Sequence, residues 1–150
     1  MEQYSLLFLV SKIYLIVNFS NHQVMKQLII EGRQFDVVIC DPPKLAPTRA
    51  SLSRAEKKYM KINSLAMSLV APGGLLLTCT CSAAMTQSSA GGGGKQQGQI
   101  SGFQQMIQGA AKQARREVVL LSTSGAGTDH PQLISYPEAR YLTAALLYVV

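Results

Sequence analysis

Two apolar segments, "FDVVICD" from Phe35 and "LLLTCTC" from Leu75, constrain the fold of this chain more than any other feature. The first contains an unbroken run rich in β-branched residues, which is typical of a strand covered on both faces. Strands of this kind occur in parallel sheets, where crossover helices lie on the sheet faces. We therefore interpret both segments as buried strands of an α/β sheet.

The segments around these strands predict helices. "VMKQLIIEGRQ" is a short amphipathic pattern before the first strand, and a longer one separates the two strands. The longer pattern places apolar residues at spacings of four and three, at Ala55, Tyr59, Ile62, Ala66 and Leu69. A third pattern follows the second strand, with apolar positions at Phe103, Met106, Ile107, Ala110 and Ala114.

The C-terminal third predicts two more strands, "EVVLLS" and "YLTAALLYVV", joined by a loop and not by a helix. A strand that enters a sheet without a crossover helix is expected to be antiparallel. The fold class predicted from this order is α/β, a doubly wound sheet that is mostly parallel with an antiparallel last strand.

The chain has 150 residues, about the size of one domain. Residues 1–23 are a divergent apolar segment, residues 24–150 are the predicted domain, and the Gly/Gln-rich stretch at about 88–101 is a predicted flexible insertion. Glu2 and Lys12 argue against a signal peptide. Three cysteines, an odd number, together with the lack of a secretion signal favour an intracellular, reducing compartment.

The net charge of +6 favours an anionic partner such as nucleic acid. Basic residues gather in the stretch after Asp41, and four of them fall on one face of the long helix, opposite its apolar stripe. The candidates for RNA binding are Lys44, Arg49, Arg54, Lys57, Lys58 and Lys61. Such a face is either merely solvated or a surface that contacts phosphates.

Polar residues follow both apolar strands, where doubly wound sheets bind their ligands. Asp41 ends the first and is held by Pro42 and the proline after it, while Cys81 ends the second. Cys79 lies two residues before Cys81, further inside the same strand, and is expected to be a small core residue. From position alone, Cys81 is equally a structural or a catalytic thiol. The cysteines lack the paired spacings of metal sites, so no metal is predicted.

From about Val24 to Val150 the chain resembles the C-terminal part of the catalytic domain of class I S-adenosylmethionine-dependent methyltransferases, specifically the RlmI-like family. That family makes 5-methylcytosine in large-subunit ribosomal RNA. The matching segments are "FDVVICDPPKLAPTRASL", "KINSLAMSLVAPGGLLLTCTCS", "REVVLLSTSGAGTDHP" and "YPEARYLTAALLYVV". Lys44 stands where many amino-directed methyltransferases carry an aromatic residue after two prolines.

The resemblance implies roles for the residues at the strand ends. Cys81 matches the nucleophile of cytosine-5 RNA methyltransferases, and Asp41 is implied to hold the cytosine edge. Asp41 and Pro42 are implied to contact the cofactor, S-adenosylmethionine, and large-subunit ribosomal RNA is the implied partner. No membrane partner is implied, and no oligomeric state is predicted.

The resemblance covers only part of a methyltransferase domain. No glycine-rich turn or acidic strand end that would hold the cofactor precedes Val24, so we expect a truncated form that alone neither binds S-adenosylmethionine usefully nor is active. The apolar segment 6–17 is expected to pair with the edge of the first strand. Two alternatives stay open: a non-catalytic RNA-binding or scaffold fragment, and an amino-directed N4-cytosine or N6-adenine methyltransferase.

Overall fold

The computed structural model of the chain describes residues 14–17, 22–45, 52–87, 101–128, 135 and 141–150. These residues form a five-stranded sheet and four helices. The strands are β1 Tyr14–Val17, β2 Phe35–Cys40, β3 Val70–Thr80, β4 Val118–Ser124 and β5 Thr143–Val149. The helices are α1 His22–Ile30, α2 Leu52–Leu69, α3 Ala83–Gln87 and α4 Gly102–Ala114.

The strand order in the sheet is β1-β2-β3-β5-β4. Strands β1, β2 and β3 are parallel to one another, while β5 is antiparallel to both β3 and β4. The predicted fold class is therefore confirmed, including the antiparallel last strand. Within the described residues, no helix is both long and apolar enough to cross a membrane.

Strand β1 lies in the divergent N-terminal segment. It pairs with β2 from Tyr14 opposite Val37 to Val17 opposite Cys40. It therefore covers the edge of β2, as expected for the apolar segment 6–17. The predicted insertion at about 88–101 lies outside the described residues except for its last residue, Ser101. Ser101 caps α4 through a reciprocal pair of hydrogen bonds with Gln104.

Helix α2 packs its predicted apolar stripe into the core. All five predicted positions are buried, at Ala55, Tyr59, Ile62, Ala66 and Leu69. The core also contains Val38 of β2, Leu76 of β3 and Phe103 of α4. Helices α2 and α4 approach closely, because a Cβ atom at Gly109 would lie only 2.7 Å from the Cε atom of Met60. This layer of helices packs on one face of the sheet.

The two faces of β3 differ in burial. Leu76, Thr78 and Thr80 are buried, whereas the alternate residues, including Leu77 and Cys79, are half-buried. Successive residues of a strand point to opposite faces, so Cys79 lies on the face away from the buried set. The prediction that Cys79 is a core residue is therefore wrong.

The start of β3 is irregular, since its pairing with β2 shifts between Phe35 and Val37. Gly73 has a φ of 81°, which L side chains rarely adopt. A Cβ atom at Gly74 would lie 2.7 Å from the carbonyl oxygen of Asp36. The glycine pair thus lets β3 turn tightly out of α2 and pass close to β2.

Candidate functional site

The carboxyl ends of β2 and β3 lie side by side. The strands are parallel, and Cys40 pairs with Thr78. Asp41 therefore follows at the level of Cys79, and Cys81 lies about 7 Å further along at a rise of about 3.3 Å per residue. The structure thus brings the two predicted catalytic residues, Asp41 and Cys81, to adjacent strand ends.

The electrostatic environment of Cys79 reflects the closeness of these groups. Burial raises the pKa of Cys79 to about 11, and the charges of Asp41 and Cys81 act in the same direction. Asp41 is exposed and Cys81 is half-buried, while Pro42 directly after Asp41 is buried. An exposed carboxylate and a reachable thiol therefore share one site, bordered by a buried proline.

The three thiols differ in their chemical state. Cys40 is fully buried, and burial raises its pKa to about 12, although a hydrogen bond with the side chain of Thr78 acts in the opposite direction. Burial thus disfavours the thiolate forms of Cys40 and Cys79, and the thiolate is the nucleophilic form of a cysteine. The nucleophile predicted from the sequence, Cys81, stays a prediction.

Tyr59 connects the two strand ends, a role that the sequence pattern did not reveal. Its hydroxyl accepts a hydrogen bond from the Leu45 backbone N–H at 3.3 Å and donates one to the Pro43 carbonyl at 3.3 Å. It also forms a side-chain hydrogen bond with Thr80, and burial, the largest cause, raises the pKa of Tyr59. The apolar spacing predicted that Tyr59 is buried, but not what its hydroxyl contacts.

Below this contact, a buried polar network connects α2 with both strands. The Asn63 side chain donates to the Tyr59 carbonyl at 2.9 Å, and the Thr78 hydroxyl donates to the Asn63 side-chain oxygen at 2.5 Å. Thr78 in turn bonds the Cys40 thiol. An asparagine next to Ile62 in the apolar stripe was the sequence signal for this network.

The predicted RNA-binding residues lie on α2 and in the loop before it. Those described are all exposed: Lys44, Arg54, Lys57, Lys58 and Lys61. Arg49 falls outside the described residues. Because α2 runs back from the carboxyl end of β2, its first turns lie at the same edge of the sheet as Asp41.

Helix α1 extends this basic face. The pKa of His22 is lowered, first by burial and then by the positive charges of Lys26 and Lys61. Helix α1 packs against α2, and its exposed Lys26 adds a charge that the sequence analysis did not include. Among the residues that the structure describes, no three His, Cys, Asp or Glu side chains are grouped to hold a metal ion.

Comparison with known proteins identifies methyltransferases as relatives of the chain. No family profile matches it. Curated relatives named ribosomal RNA large subunit methyltransferase I are 37% identical over 133 residues in Photobacterium profundum and 39% identical over 127 residues in Aeromonas salmonicida. These matches cover 89% and 83% of this chain, but only 30% and 29% of the relatives. The chain thus spans about 30% of the length of the relatives it matches.

Solved structures share the fold. A methyltransferase from Streptococcus mutans has a TM-score of 0.60 at 17% identity, covering 84% of this chain and 28% of that one. SMU.776, solved in complex with SAH, has a TM-score of 0.57 at 16% identity, covering 84% and 29%. The resemblance predicted from the sequence motifs is confirmed by the relatives, and the fold by these structures.

Proposed function

We propose, from its similarity to the large subunit methyltransferases, that this chain forms the C-terminal part of a methyltransferase domain acting on carbon 5 of cytosine in large-subunit ribosomal RNA. The observation that carries the proposal is the adjacency of Asp41 and Cys81 at the ends of β2 and β3. The high pKa values of the other two thiols support Cys81 as the nucleophile.

The proposed reaction needs a thiolate as nucleophile and a side chain that binds the cytosine ring. Carbon 5 of cytosine is a weak nucleophile, so the Cys81 sulfur first adds to carbon 6, and the electron pair of the carbon 5–carbon 6 bond becomes available at carbon 5. Asp41 holds the cytosine edge at N3 and the exocyclic amine. A proton shared between the Asp41 carboxyl group and this edge stabilises the adduct. Once carbon 5 carries the methyl group, its proton passes to water, the electron pair of that C–H bond restores the carbon 5–carbon 6 double bond, and the bond between carbon 6 and sulfur breaks to release the Cys81 thiolate.

The proposed cofactor is S-adenosylmethionine, which supplies the methyl group from its sulfonium when bound. The residues at the strand ends fit such a group. Asp41 is exposed at the carboxyl end of β2, where doubly wound sheets bind ligands, and buried Pro42 gives a fixed wall next to it. In this proposal Asp41 and Pro42 contact the cofactor, and Asp41 also faces the base.

The proposed partner is RNA. The exposed cations on α2 and Lys44 lie at the edge of the sheet that holds Asp41, so phosphates next to the target cytosine are within their reach. Arg49, which lies outside the described residues, is also proposed to contact RNA. The proposed compartment is intracellular and reducing, which rests on the odd number of cysteines in the sequence.

A chimeric enzyme tests the proposal. Residues 24–150 replace the matching C-terminal part of the Photobacterium profundum relative, and the enzyme is incubated with S-adenosylmethionine and ribosomal RNA. We expect 5-methylcytosine by mass spectrometry of the nucleosides, and a covalent adduct between Cys81 and RNA containing 5-fluorocytosine. N4-methylcytosine or N6-methyladenine as the product would contradict the proposal and favour an amino-directed enzyme.

A further inference from the structure

We infer that Tyr59 is a positioning residue, which holds the loop carrying Asp41 and the end of β3 carrying Cys81 in a fixed relation. Its value for catalysis rests on the function proposed above, but the contacts themselves do not. Tyr59 belongs to α2, yet its hydroxyl contacts residues on both neighbouring strand ends.

The hydrogen bonds of the Tyr59 hydroxyl form a link between the two strand ends. The first half of this link fixes the loop after β2. The Tyr59 hydroxyl bonds the Pro43 carbonyl and the Leu45 N–H, each at 3.3 Å. These two backbone groups lie two and four residues after Asp41. Two consecutive prolines already restrict the backbone between Asp41 and Lys44, so fixing Pro43 also limits where the Asp41 carboxylate lies.

The second half fixes the end of β3. The Thr80 side chain bonds the Tyr59 hydroxyl, and the Thr80 hydroxyl accepts a hydrogen bond from the Ser82 N–H at 3.3 Å. Cys81 lies between these two residues, so its backbone is held on both sides. The position of the Cys81 thiol therefore depends on a chain of contacts that begins at Tyr59.

Tyr59 is itself held firmly enough to act in this way. Its side chain has no exposed surface, and its carbonyl accepts the hydrogen bond from Asn63. Asn63 is bonded in turn to Thr78, near the carboxyl end of β3. A phenylalanine would fill the same volume, but it would leave Pro43, Leu45 and Thr80 without their shared partner.

The Tyr59→Phe variant of the 150-residue chain tests the inference without catalysis. We expect amide hydrogen exchange at Leu45 to accelerate at least tenfold, because its N–H no longer has an acceptor. We also expect the rate of Cys81 alkylation by iodoacetamide to change at least threefold, while Cys40 stays unreactive. Tyr148→Phe removes the hydroxyl of an exposed tyrosine on β5 and should leave both rates unchanged.

Unchanged Leu45 exchange in Tyr59→Phe would overturn the inference. Alkylation of Cys40 and Cys81 that rises in the same proportion would also overturn it, because that result indicates a general loss of stability. If Tyr59→Phe fails to fold, Thr80→Val tests one half of the link: Cys81 alkylation should change while Leu45 exchange stays protected. These readouts do not depend on methyl transfer, so they distinguish a failed link from a failed functional proposal.

Discussion

Thr78 on β3 donates a hydrogen bond of 2.5 Å to the side-chain oxygen of Asn63 on α2, and both side chains are fully buried. The contact joins the helix that carries Tyr59 to the strand that leads to Cys81. A polar pair in an otherwise apolar layer fixes how these two elements pack, because separating them would leave the buried Thr78 proton without its acceptor and the Asn63 oxygen without its donor.

This pair predicts a strong coupling in stability. Asn63→Ala should lower the free energy of unfolding by about 2–3 kcal/mol, because it removes the acceptor of the buried Thr78 hydroxyl proton and creates a small cavity. Thr78→Val should lower the free energy of unfolding less in the Asn63→Ala variant than in the chain with Asn63 intact. Urea unfolding of both single variants and the double variant measures the coupling, and additive losses would contradict a direct interaction.

The two half-accessible thiols should have separate roles. In the chimeric enzyme, Cys81→Ser should abolish methyl transfer, because a hydroxyl adds to carbon 6 far less readily than a thiolate. Cys79→Ser is the matched control, one dipeptide deeper on the same strand, and should retain activity within a few fold. Crosslinking of 5-fluorocytosine RNA to Cys79 in place of Cys81 would refute this assignment.

The sequence predicted β2 to β5, the helices α1, α2 and α4, and the strand ends that meet, because apolar periodicity and the succession of elements along the chain are read directly from the sequence. The short helix α3 was not predicted. The fully buried stripe from Ala55 to Leu69 illustrates this. The burial of Cys79 was predicted wrongly, since periodicity shows that the two faces of a strand differ but not which face the helices cover. The Tyr59 hydroxyl was missed because its partners Pro43, Leu45 and Thr80 are 14 to 21 residues away in the sequence.

Burial of Cys40 predicts a pH dependence of stability. Its folded pKa of about 12 lies above the unfolded value near 9.0, so the unfolded state loses the proton first as the pH rises. The stabilisation is complete below about pH 9 and is lost as the pH rises toward 12, by up to about 4 kcal/mol. Chemical unfolding at about pH 8 and at about pH 10.5 should show this loss.

The Cys40→Ser variant is the control for that prediction. Its hydroxyl does not titrate in this range, so stability should fall less between the two pH values than in the unaltered chain. Titration of lysines and tyrosines is common to both proteins and cancels in the comparison. Identical pH slopes would show that Cys40 does not account for the loss.

The basic face of α2 should govern RNA affinity if it contacts phosphates. Replacing Lys57, Lys58 and Lys61 by Gln in the chimeric enzyme should weaken RNA binding, and should flatten the plot of log affinity against log salt by about 0.7–0.9 for each phosphate that the protein no longer neutralises. The matched control replaces three exposed cations outside this face by Gln: Arg33, Lys112 and Arg115. Both variants lose three positive charges, so long-range attraction falls by a similar amount in each. A flatter slope only in the α2 variant indicates direct phosphate binding, whereas equal slopes in the two variants would show that the face is merely solvated.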